Sequence, residues 1–212
     1  VDIIYLKNVG KIRGPLTSRN LGAKHAKGVF FAFLDDDDFW SERYLDEANK
    51  IINKYKVDIT ISGRSYYYEK KPKNNYLKNA AEKIPSDIYR KEDYFLRNPG
   101  VACSNFIVKN DCFHKVGGYD LSISKPPVGG SADKKIFMDL MEMGFSYKII
   151  SDPLVTKTVH SGQDTQNPGI ILPGIILFYI RYFFEMNFIY HIKMWRKILI
   201  LFIQSLILSN KK

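Results

Sequence analysis

Residues 17–40, TSRNLGAKHAKGVFFAFLDDDDFW, decide how this chain is read. The first part reads as a helix capped by Ser18, with Leu21 and Ala26 near one face and Gly28 closing it. VFFAFL (29–34) follows, uninterrupted by polar residues, as expected for a strand covered on both faces. Four carboxylates come next, Asp35, Asp36, Asp37 and Asp38. Like charges at such spacing repel, and desolvating an unpaired one costs on the order of several kcal/mol, so the cluster calls for a cation. Alternate residues of an extended segment point the same way, which directs Asp35 and Asp37 to one ligand. Ligands that are all oxygen suit Mg²⁺ or Mn²⁺.

Outward from that stretch, SERYLDEANKIINKYK (41–56) reads as a helix with Ser41 as N-cap and Leu45, Ala48, Ile51 and Ile52 as its apolar stripe. VDITISGRSYYYE (57–69) is a strand. Residues 69–98 are polar and charged and read as an exposed loop. ACSNFIVKNDCF (102–113) is a strand and then a turn, VGGYD (116–120) a turn, and residues 122–131 a flexible stretch. DKKIFMDLMEMG (133–144) is a helix closed by Gly144, and SYKIISDPLVTKTVH (146–160) a pair of short strands. The opening VDIIYL is a short strand. Strands alternating with helices predict an α/β fold with a mainly parallel sheet flanked by helices. In such sheets ligands bind beyond the carboxyl ends of the strands, where the aspartates stand.

The chain has 212 residues, 45% hydrophobic and 25% charged, a globular composition with a formal net charge of +10. The charge favours an acidic partner such as phosphate, nucleic acid or an anionic membrane face. Nucleic acid is disfavoured, because four aspartates beside the site would repel its phosphates and no nucleic-acid-binding motif occurs. Two cysteines, Cys103 and Cys112, make neither a disulfide framework nor a zinc pair. With no signal peptide in view, a cytoplasmic setting is expected. Residue 1 is Val and the chain opens directly on an apolar run, which reads as a fragment lacking an N-terminal portion.

The 17–40 stretch resembles the central signature of family 2 inverting glycosyltransferases of the GT-A (Rossmann-like) fold. Their pattern is an Arg-Asn helix start, a small-residue helix ending in Gly, an apolar strand, then Asp-x-Asp-Asp and an aromatic. FHKVGGYD (113–120), SADKKIFMDLMEMGFSY (131–147) and TVHSGQDT (158–165) resemble later segments of the same family. The resemblance covers residues 1–166 and implies a partial, N-terminally truncated GT-A domain, with residues 167–212 a separate helical tail. It implies that Asp35 and Asp37 form the Asp-x-Asp metal pair, with His160 approaching the metal. Arg19, Asp35 and Asp36 would bind the nucleotide sugar, and Asp133 would be the general base on the acceptor hydroxyl. Two positions depart from the family pattern, Ala132 in place of Glu and Asp139 in place of Arg.

The tail from Ile170 to Leu208 is apolar and aromatic but cut by charges, so no stretch reaches the ~20 residues needed to span a bilayer. From residue 181 it holds six basic residues against one acid, Glu185, which predicts helices lying in a membrane interface. A helical pair packed on the domain or at a homodimer interface is the other reading. The expected function is metal-dependent (Mn²⁺ or Mg²⁺) sugar transfer from a nucleotide-sugar donor to a glycan or lipid-linked acceptor in cell-surface polysaccharide synthesis. The setting would be peripheral, at the inner face of the plasma membrane. The alternative is a non-catalytic membrane-surface protein that keeps a degenerate GT-A fold.

Overall fold

The computed structural model describes residues 3–10, 14–69, 90–96, 98, 100–123, 131–160 and 168–209. Most of the polar loop read at 69–98, and most of the flexible stretch read at 122–131, lie outside the described residues. The elements run α1 (Pro15–His25), β1 (Phe30–Ala32), β2 (Phe39–Trp40), α2 (Tyr44–Tyr55), β3 (Ile59–Tyr68) and α3 (Lys91–Leu96). They continue with β4 (Phe106–Lys109), α4 (Asn110–Lys115), α5 (Ala132–Glu142), β5 (Tyr147–Val159), α6 (Pro168–Arg181) and α7 (Phe188–Ser209).

One five-stranded sheet holds the strands in the order β1-β4-β3-β5-β2. It is mixed rather than mainly parallel. β3 and β5 pair in parallel, whereas β4 runs antiparallel to both β1 and β3, and β2 antiparallel to β5. The alternation of helix and strand misleads at the aspartates. β1 and β2 lie at opposite edges of the sheet, and residues 33–38 carry the chain across it and reverse its direction with no helix between them.

VFFAFL is not a strand covered on both faces. Only Phe30–Ala32 pair, at the sheet edge, with Phe31 buried while Val29 is 68% exposed. Ile3–Val9 form no strand, and Ile3, Ile4 and Tyr5 are exposed. Helix α1 starts earlier than the Ser18 reading, with Pro15 in its first turn after Gly14, and ends at His25 before Gly28. The Ser41 carbonyl oxygen accepts the Tyr44 amide two residues ahead of the actual cap, Arg43, and α2 buries Tyr44 and Ala48 while Leu45 faces solvent. The two short strands read at 146–160 are one strand, β5. Between Ser62 and Arg64 of β3, opposite Ile150 and Val155, β5 bulges. Gly63 faces that bulge, where a Cβ would lie 2.9 Å from the Ser151 carbonyl oxygen.

The main core is aromatic. Phe31 meets Phe113 at 5.5 Å, Phe106 meets Phe137 at 6.5 Å, and Phe137 meets Tyr147 at 5.5 Å, all near edge-to-face. A second cluster, built on Tyr44, Ala48, Ile107, Ile150, Leu154 and Val155, packs α2 against the sheet. In the tail, Ile175, Phe178 and Tyr179 of α6 and Met194 of α7 join the main core. No helix among the described residues is long and apolar enough to cross a membrane.

Candidate active site

The aspartate run is a tight turn rather than an extended strand end. The Asp38 amide donates to the Asp35 carbonyl oxygen at 3.1 Å. Folding back in this way brings carboxylate oxygens of Asp35, Asp37 and Asp38 within 4.8 Å of one another. Asp38, which sequence reasoning left without a role, is the buried anchor. It accepts the Ser104 hydroxyl at 2.7 Å and the Thr158 amide at 3.1 Å. Burial pushes its carboxyl above the usual carboxylate range, and the Ser104 hydrogen bond pulls it partly back. The same Ser104 hydroxyl accepts the Asp35 amide at 3.1 Å, and the Ser104 carbonyl oxygen accepts the Trp40 indole N–H at 2.7 Å.

Ser104 is placed by a 3-10 turn over Cys103–Asn105 that the strand reading of this segment missed. Asn105, fully buried, fixes that turn: its amide donates to the Ser62 and Gly100 carbonyl oxygens and its oxygen accepts the Ala102 amide. The sequence signal was Ser-Asn between apolar residues, polar groups that a buried strand face would leave without partners.

Arg19, on α1, pairs with Asp35 and lies over the Tyr119 ring, its guanidinium carbon 5.4 Å from the centroid. Burial works against its charge, but Asp133 and Asp35, among other neighbours, more than offset that and hold the guanidinium protonated. Asn20, the next residue, exchanges two hydrogen bonds with the Tyr119 backbone, at 2.8 and 2.9 Å. Those bonds fasten the Gly117-Gly118 turn to α1. Gly118 sits at φ +70, and a Cβ there would lie 2.8 Å from the Asn20 side-chain oxygen.

His160 Nε2 stands 3.2 Å from Asp37 Oδ2 at the end of β5, so the late histidine and the aspartate turn meet. Asp36 is exposed at the tip of the turn. Asp133 lies in the first turn of α5, whose N-terminus favours an anion. Its Oδ1 has no hydrogen-bond partner among the described residues. Burial raises its carboxyl, Arg19 lowers it and Asp35 raises it further. Arg19 thus links the two acids electrostatically. Lys157 also offsets charge at both Asp38 and Asp133, a cation that sequence reasoning missed. The two departures from the family pattern have structural roles: Ala132 is buried, and Asp139 pairs with Lys135 at 2.5 Å and accepts the Tyr182 hydroxyl at 3.5 Å.

Residues 2–158 match the family model described as "Glycosyltransferase like family 2". The chain belongs to this glycosyltransferase family. A curated Escherichia coli relative, "UDP-Glc:alpha-D-GlcNAc-diphosphoundecaprenol beta-1,3-glucosyltransferase WfaP", is 29% identical over 126 residues. That match covers 57% of this chain and 47% of the relative. Among solved structures, Staphylococcus aureus TarS superposes with a TM-score of 0.52 at 15% identity, covering 91% of this chain and 31% of that one. A shorter TarS form (residues 1–349, in complex with UDP-GlcNAc) gives a TM-score of 0.51 at 18% identity, covering 79% and 46%. The chain therefore spans about half the length, or less, of the relatives it matches, and the TarS likeness supports the GT-A-like fold.

Proposed function

We propose that the transferase chain moves a sugar, with inversion, from a nucleotide-sugar donor to a glycan or lipid-linked acceptor in cell-surface polysaccharide synthesis. The observation that carries this is the convergence of Asp35, Asp37 and His160, with Arg19 ion-paired to Asp35 and electrostatically coupled to Asp133.

The donor set fits a divalent cation. Asp35 and Asp37 bring oxygens within 4.8 Å while Asp38, spent on Ser104 and Thr158, holds the turn that aims them. Asp35, Asp37 and His160 would be the residues holding Mn²⁺ or Mg²⁺. Such an ion, when bound, supplies charge neutralisation for a departing diphosphate.

The chain's own residues account for the rest. Asp133 accepts the proton of the acceptor hydroxyl as that oxygen bonds to the anomeric carbon. The bond from the anomeric carbon to the diphosphate breaks, and its electron pair leaves with the nucleoside diphosphate. A base on one face and a stabilised leaving group on the other are what a single inverting displacement requires. Burial favours the proton on Asp133, which makes it a stronger base than an exposed aspartate, while Arg19 keeps it within reach of ionisation. Arg19, Asp35 and exposed Asp36 border the nucleotide side.

The acceptor class is carried over from the name of the E. coli relative, which specifies a lipid-diphosphate sugar. A membrane-borne acceptor suits the basic, apolar tail and a peripheral site at the inner face of the plasma membrane. The test has two parts. Calorimetry with Mn²⁺ and a nucleoside diphosphate should show metal uptake by the chain, lost in Asp37→Ala. The complete gene product, given a panel of UDP, GDP and dTDP sugars, should show chelator-sensitive transfer or donor hydrolysis. If the chain takes up no metal and the complete gene product shows neither transfer nor donor hydrolysis, the non-catalytic alternative stands instead.

A further inference from the structure

Helix α7 has more apolar surface facing outward than inward. Met194 is buried, and Tyr190, Ile198 and Leu201 pack partly against the core. On the opposite side Phe188, Ile192, Trp195, Leu199, Ile203 and Leu206 recur at three- and four-residue steps, and all are exposed, Trp195 at 59%. Ile180 and Phe184, which precede the helix, are exposed as well, the latter at 97%. A helix apolar on both sides needs a partner on both sides.

The charges around this band say what the partner is. Among the described residues of the tail the one acid is Glu185, and Lys91 of α3 engages it. The bases Arg181, Lys193 and Arg196 are exposed, with Arg196 set inside the apolar arc. A long Arg stem can bury its methylenes while its guanidinium reaches a phosphate layer. Apolar residues, an aromatic and bases on one face of a helix not apolar enough to span are what an interfacial helix presents.

We propose that α7 lies flat in an anionic bilayer surface, with the Ile192–Trp195–Leu199–Ile203 arc among the acyl chains and Lys193 and Arg196 at headgroup phosphates. This sharpens the peripheral location proposed above, and its test does not depend on whether sugar is transferred. The α6 segment on which α7 packs, with Tyr179 and His191 3.0 Å apart between the two helices, is also fastened to the helix that carries Asp133. Lys91 bridges Glu142 of α5 and Glu185, the Tyr182 hydroxyl reaches Asp139, and the Lys134 ammonium sits 3.6 Å from the centre of the Phe178 ring. A lipid surface held by α7 is therefore held in one geometry relative to Asp133.

The probe is a vesicle. The chain should co-sediment with mixed phosphatidylcholine–phosphatidylglycerol vesicles more strongly than with phosphatidylcholine alone, and Trp195 emission should shift blue and be quenched by brominated acyl chains. Trp195→Phe should remove the shift. The double variant Leu199→Glu/Ile203→Glu, at exposed positions, should keep its circular dichroism and melting but partition about tenfold less or worse, the scale of two lost insertions. Vesicle binding that the double variant does not weaken overturns the proposal, as does no binding by the parent. A dimer in light scattering that the double variant splits, without vesicle uptake by the parent, gives the face to a second copy and overturns it too.

Discussion

Removing the Ser104 hydroxyl tests the brace behind the aspartate turn. In Ser104→Ala the buried Asp38 carboxylate loses a donor at 2.7 Å and the Asp35 amide loses an acceptor at 3.1 Å. A hydrogen bond to a charged group contributes about 1.5–3 kcal/mol and a neutral one about 1 kcal/mol, so the loss is roughly 2–4 kcal/mol. That is a large share of the ~5–15 kcal/mol typical of a folded domain, and at this size each kcal/mol lowers the melting temperature by about 2–4 °C.

The deficit depends on pH. Asp38 has a raised carboxyl, so the folded chain binds more protons than the unfolded one between the ordinary carboxylate pKa and the raised one. Stability therefore falls as pH rises through that window. Deleting Ser104 removes a contact that favours the ionised form and pushes the window higher. The variant's deficit should be largest near neutrality and shrink in acid. Urea unfolding at a series of pH values, on metal-free protein, reads this directly, with the denaturant slope unchanged. A loss under about 0.5 kcal/mol, or one equal at all pH values, would refute the assignment of Asp38 as a charged, Ser104-supported anchor.

Other outcomes follow from the same geometry. Gly118→Ala should cost about 1–2 kcal/mol in backbone strain, and more from the clash with Asn20, measured as a lower midpoint in urea. Lys134 is buried over Phe178, and burial, helped by Lys197, holds its ammonium well below the usual lysine range. The unfolded chain then binds the extra proton, so stability should climb as pH rises through the window below the ordinary lysine value, and Lys134→Met should flatten that climb in melting curves. Arg19→Gln should raise the Asp133 carboxyl further and move the acid limb of kcat/KM to higher pH, since Arg19 is the largest of the influences that lower it. Lys91→Ala, whose acid partners are well exposed, should cost no more than about 1 kcal/mol by thermal melting.

What was legible in the sequence was the set of residues whose types announce chemistry. Asp35, Asp37 and His160 are drawn from positions far apart in the chain, yet the structure places them together, with Arg19 ion-paired beside them. Their joint occurrence in a family pattern carried that reading. Less legible was how the backbone achieves it. Asp38, Ser104 and Asn105 act through hydrogen bonds across the sheet, and nothing local distinguishes an anchoring aspartate from its three neighbours. The mixed sheet was hidden for a related reason. Periodicity reports whether a segment is extended, not which way it runs, and the six residues that carry the chain from β1 at one edge to β2 at the other read as a strand end rather than a reversal. VFFAFL was misjudged because an apolar run does not say how many neighbours a strand has, and β1 has a single paired neighbour among the described strands.

The bulge in β5 has a consequence for how tolerant the chain is of length changes. While β3 advances from Ser62 to Arg64, β5 advances from Ile150 to Val155, an odd number of steps against an even one. Both Ile150 and Val155 therefore turn to the α2 side, and the residues after them inherit that parity. Removing one residue from 151–154 would leave composition and overall shape almost untouched. It would rotate every later side chain of the strand by half a turn, trading Thr158 and His160 for their neighbours at the acidic loop.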